Sequence, residues 1–121
     1  MKATELRIGN YVYSITCNGE KVIDKVNHVD QQGVIASGIG WMEQEPIPLT
    51  EQWLKDFGFE EIGIVMRMSI THFLELCWFK EDGLKIQTIG SGFTECANCK
   101  YVHQLQNLYF DLAGKELIKH G

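Results

Sequence analysis

The 121 residues predict an α+β fold: an antiparallel β-meander or partial barrel, one short connecting helix, and a C-terminal helix packed on the sheet. Three observations predict it. Apolar residues recur at helical spacing over 101–117. Short runs rich in β-branched and aromatic residues, punctuated by Asn18-Gly19 and Asp82-Gly83, fill most of the rest. Between them, Pro46 and Pro48 force an extended step, because each proline pushes its predecessor out of helical space.

In chain order, 6–15 reads as a first strand, with Gly9-Asn10 as a bend or bulge. Asn18-Gly19 signals a tight primed turn, which needs positive φ at both central residues. Residues 21–29 return as a second strand with Val22 and Val26 inward and Ile23 a further candidate. A turn at 30–33 leads to a short third strand over 34–39. Gly38, Gly40 and 42–45 read as a loop or irregular edge. Thr50 is an N-cap, and Glu51 puts negative charge at the positive end of a helix. Trp53, Leu54 and Phe57 form its buried face, and Gly58 ends it. Residues 59–69 read as one strand and 71–79 as another. The latter is apolar on both faces, which suits a central position. Asp82-Gly83 turns the chain into 84–89, and Gly90-Ser91-Gly92 is a hinge into 93–96.

The final helix runs from Tyr101 to Ala113. Val102, Leu105, Tyr109 and Leu112 make its apolar stripe, broadened by Leu108. Gln104, Gln106 and Asp111 fall outside the stripe and are expected to face water. Gly114 follows the last periodic residue, where a left-handed cap is common.

This length fits a single domain, 1–121, with apolar and charged fractions of 45% and 22% ordinary for a globular protein. No apolar run approaches a bilayer span, so no membrane partner is expected. The opening residues carry no apolar signal segment, so the expected location is the cytoplasm. There, the four cysteines are expected to be thiols, ligands or redox groups rather than structural disulfides. Net charge is −5, and residues 1–61 hold ten Asp/Glu against five Lys/Arg. That balance argues against a nucleic-acid footprint, which needs a basic face to neutralise phosphates.

Three motifs carry a resemblance. They are Glu-Leu-Arg-Ile-Gly-Asn at 5–10, Glu-Pro-Ile-Pro-Leu-Thr-Glu-Gln-Trp-Leu-Lys-Asp-Phe-Gly-Phe at 45–59, and Val-His-Gln-Leu-Gln-Asn-Leu-Tyr-Phe-Asp-Leu-Ala-Gly-Lys-Glu-Leu at 102–117. Together they resemble an uncharacterised family of short proteins from Bacteroides-type bacteria and their prophages. The resemblance implies a setting on a mobile or phage-derived element. It implies no activity and no catalytic residues.

Two functions are expected from these residues. The leading one is a non-enzymatic interaction or accessory protein acting on a protein partner or as a homo-oligomer. Its candidate interface is Trp41 and Met42 in a Gly-rich loop, with Gln104 and Asn107 on an amide-rich helix face that can dock a partner or hydrogen-bond a nearby loop. The alternative is a thiol-redox or zinc site. Cys96 and Cys99 flank Ala97-Asn98 at the entrance to the final helix, where the helix dipole favours a thiolate. His103 lies one turn on and makes a third candidate zinc ligand. Cys77, Cys17, His72 or His28 would have to supply the fourth. No catalytic set is expected: phosphate-cradling loops and a Gly-x-Ser-x-Gly elbow are both missing.

Overall fold

The computed structural model describes residues 6–29, 35–37, 43–81, 83–88, 92–95 and 99–120. The turn expected at 30–33, the loop around Gly38 and Gly40, and Gly90-Ser91 lie outside them. The α+β class holds, with two antiparallel sheets and two helices. Both sheets are open among the described residues, so neither closes into a barrel. A single domain is the expectation from length. The contacts group into two compact units, Met1–Pro48 with Tyr101–Asn107 and Leu49–Lys100 with Leu108–Gly121.

The first unit holds a four-stranded sheet of order β3-β2-β1-β4. Its strands are β1 (Tyr11–Ile15), β2 (Lys21–Val29), β3 (Ile35–Ser37) and β4 (Glu43–Glu45). Strand β1 starts later than the sequence suggests. Residues 7–10 form a turn instead, with the Asn10 amide donating to the Arg7 carbonyl at 3.1 Å. Gly9 sits at φ +97°, a value that any side chain would strain. Along β1, Val12 and Ser14 are buried and their neighbours are not, the period of a strand with one covered face. Val26 joins Leu6 and Val12 in one buried cluster. Val22 is half-buried, and Ile23 is 53% exposed because it falls on the opposite face from Val22 and Val26.

The β1–β2 turn differs in type from the expected one. Ile15 pairs with Lys21, which leaves 16–20 as the loop. The Gly19 amide donates to the Thr16 carbonyl, and the Thr16 amide donates to the Glu20 carbonyl, both at 2.9 Å. Gly19 takes φ +80°, while no described non-glycine residue has positive φ. A type I turn closed by one left-handed glycine therefore replaces the primed turn, which would have strained Asn18 as well. Strand β4, read from sequence as loop or irregular edge, is a short edge strand on β1.

The second unit begins with helix α1 (Glu51–Asp56). Thr50 caps it as expected, its hydroxyl accepting the Trp53 amide at 3.4 Å. Trp53, Leu54 and Phe57 are buried. Gly58 follows at φ +97°, donating to the Lys55 carbonyl, while Phe59 donates to Leu54, both at 3.0 Å. Those two bonds are a Schellman cap, and Phe59 and Leu54 are both buried, as its apolar contact requires.

A five-stranded meander follows, of order β5-β6-β7-β8-β9. Its strands are β5 (Glu60–Ile62), β6 (Val65–Ser69), β7 (Leu74–Phe79), β8 (Gly83–Thr88) and β9 (Gly92–Glu95). The sequence suggests one strand over 59–69. The chain instead folds back at Gly63-Ile64, where Ile62 pairs with Val65. The break falls at Gly63, which takes φ +62°. Strand β7 is central, as its two apolar faces suggest, but shorter than 71–79. The Thr71 hydroxyl accepts the Phe73 and Leu74 amides at 3.1 and 3.2 Å, which diverts 71–73 into a turn.

Pairing defines the two faces of this sheet. Trp78 lies opposite Met66 on one side and Leu84 on the other. Met66, Leu76 and Leu84 are buried on that face. On the reverse face Cys77 lies between Arg67 and Lys85, and Arg67 bridges to Glu75 at 3.1 Å.

Helix α2 (Val102–Ala113) ends at Gly114, φ +72°, as expected. Val102, Leu105 and Tyr109 are buried. Gln106, expected to face water, is 1% exposed. No helix among the described residues is long and apolar enough to cross a membrane.

Candidate binding groove

Of the expected metal and redox residues, Cys96 lies outside the described residues. Cys99 is half-buried just ahead of α2. His103 is buried, its ring stacked on Tyr101 with centroids 6.0 Å apart. Cys17 is exposed in the β1–β2 loop, Cys77 is buried in β7, and His72 is exposed. His28 lies in β2. Among the described residues no three His, Cys, Asp or Glu side chains gather where they could hold a metal ion. Cys77 is a weakly nucleophilic thiol. Burial pushes its pKa above the usual value, the neighbouring Glu75 carboxylate adds to the rise, and Arg67 opposes it. Its Sγ lies 3.9 Å from Gln87 Oε1.

Of the expected interface residues, Trp41 and Met42 lie outside the described residues. Gln104 Oε1 accepts the Tyr101 amide at 3.1 Å, one half of a capping box. Asn107 Oδ1 accepts from Arg7 Nε at 2.8 Å and from Asn10 Nδ2 at 2.9 Å. Arg7 Nη2 also donates to the Gln106 carbonyl at 3.3 Å. Gln106 Oε1 accepts the Tyr11 amide at 2.8 Å, and its Nε2 donates to the Gly9 carbonyl at 3.1 Å. The glutamine amide thus serves the turn before β1 as a neighbouring peptide would. This latch satisfies buried backbone groups. It offers no nucleophile and no acid–base pair.

The best-formed recess belongs to the second unit and has a volume of about 400 Å³. It lies at one end of the five-stranded sheet, beside the turn at Gly63-Ile64, the turn after β7, and the first residue of α1. Met66 and Trp78 give it an apolar wall. Met66 is buried, whereas Trp78 is half-buried and so presents part of its ring. Ile64, at the turn, is 87% exposed. Glu51, Glu61, Phe79, Lys80 and Glu81 complete the lining. Glu61 is bonded to Lys55 at 3.3 Å. A second, more open recess shares Glu51, Trp78 and Lys80 and continues past Leu49, Thr50 and Lys55.

The sequence did contain a signal for this groove. Gly63-Ile64 places a bare isoleucine after a glycine, the mark of a turn with an exposed apolar tip. The cross-strand pairing that puts Trp78 beside Met66 has no such local mark. No protein-family model matches this chain, and neither a curated protein nor a solved structure matches it.

Proposed function

We propose that this protein is a non-enzymatic interaction protein that holds a segment of a partner protein in the Trp78 groove. The observation that carries this reading is the groove itself. An apolar wall of Met66 and a half-buried tryptophan, with exposed charged residues in the same lining, is the anatomy of a small recognition site. The resemblance of the three motifs supports a setting on a phage-derived or mobile element. The test is selection of binders from a displayed library of random heptapeptides. Peptides that bind the wild-type chain and not the Trp78→Ala chain are expected. If no selected peptide depends on Trp78, the reading fails.

A further inference from the structure

Resting on that reading, we infer that the groove recognises a lysine or arginine side chain carried on an otherwise apolar stretch of the partner. Acidic residues line the recess from three separate elements: Glu51 from α1, Glu61 from β5, and Glu81 from the turn after β7. Lys80 is the one cation that lines it among the described residues. Glu61 is matched by Lys55, but Glu51 and Glu81 take part in no ion pair among the described residues. The lining therefore keeps an excess of negative charge against an apolar wall.

The treatment of other aromatic rings in this chain sharpens the point. Lys25 sits over Tyr11 at 5.1 Å, Lys85 over Phe79 at 5.2 Å, Lys119 over Trp53 at 5.3 Å, and Lys21 over Tyr13 at 5.9 Å. Half-exposed Trp78 carries no such lysine among the described residues. Tryptophan is the ring that attracts a cation most strongly. A partner's cation would stack on its face while Glu51 and Glu81 meet the charge. The adjoining recess, flanked by Lys55 and Lys80, is less negative, which directs the cation to the first recess.

The heptapeptide selection tests this separately from the reading it rests on. Selected Trp78-dependent peptides are expected to carry Lys or Arg beside an aliphatic residue. Replacing that basic residue by glutamine in the peptide should weaken binding about tenfold, the effect of a partly desolvated cation–π contact with a carboxylate nearby. The double variant E51Q/E81Q should weaken the same peptide and flatten its dependence on salt. Trp78-dependent peptides without a basic residue would overturn the inference and leave the proposed function standing. So would peptides indifferent to both the glutamine replacement and the double variant. A purified dimer whose interface shields Trp78 from peptide would overturn it too, since the occupant would then be a second copy of the chain.

Discussion

Gln106 shows how much one side chain can decide. Its amide satisfies the Tyr11 amide and the Gly9 carbonyl, so Gln106→Leu strands two backbone groups at once. Loss of about 2 kcal/mol is expected, read as a lower urea midpoint with an unchanged slope. Asn107 allows a sharper contrast. The bonds from Arg7 and Asn10 both enter through Oδ1, so Asn107→Asp keeps that acceptor, while Asn107→Leu removes it. The aspartate variant should therefore be the more stable of the two. Cysteine chemistry divides in the same manner. Under mild alkylation read by peptide mass spectrometry, Cys17 should react at once and Cys77 only on unfolding, because Cys77 is buried and its thiolate disfavoured. The amide-rich face was read as able to hydrogen-bond a nearby loop, as Asn107 does with Arg7 and Asn10, but the spacing named neither the partners nor the cysteine environments. The helical stripe correctly picked Val102, Leu105 and Tyr109 as buried. It misplaced Gln106 because periodicity sorts residues by polarity, and a buried amide that replaces a peptide partner looks like a solvated one.

Caps and turns explain where the elements begin and end. Gly58→Ala should cost about 1 kcal/mol, measured by thermal or urea unfolding, since the left-handed conformation disfavours any Cβ. The added carbon would meet the His120 ring and Met68 at 3.6 Å, ordinary contact distance, so the cost belongs to the backbone. Helix α1 was readable from Thr50 to Gly58 because its signals are local: a hydroxyl cap, an acidic first turn and a glycine stop. The meander was less so. Residues 59–69 suggest one strand because Phe59, Ile62, Ile64, Val65, Met66 and Met68 keep apolar residues coming through both arms of the β5–β6 hairpin, and a lone glycine marks the break between them. Thr71 shortened β7 by a comparable route, with a hydroxyl competing for amides the ladder would otherwise use. The groove lies at two turns, Gly63-Ile64 and the one after β7, where periodicity gives no guide.

Taken as a whole chain, the protein should lose stability in alkali. Cys77 and Lys21 both hold their protons more tightly when folded, with pKa values raised from 9.0 and 10.5. The cause at Cys77 is burial, and at Lys21 the hydrogen bond to Glu45, 2.8 Å away. For a raised pKa, stability is complete below the unfolded value and is lost as pH rises through the folded one. Unfolding midpoints should therefore fall from about pH 9 upward, and Cys77→Ala should remove the earlier part of that fall. A net charge of −5 further predicts no retention of duplex DNA at physiological salt, checked by a mobility shift.

The amide latch also bears on synthesis. Its partners stand far apart in sequence, Tyr11 from Gln106 by 95 residues and Arg7 from Asn107 by 100. On a ribosome, the turn at 7–10 leaves the exit tunnel long before the residues that complete its hydrogen bonds are made. Until then water must satisfy the Tyr11 amide and the Gly9 carbonyl. A nascent chain halted before Tyr101 would lack the Tyr101–Asn107 part of its first unit and stay open to proteases, however long its strands had been free.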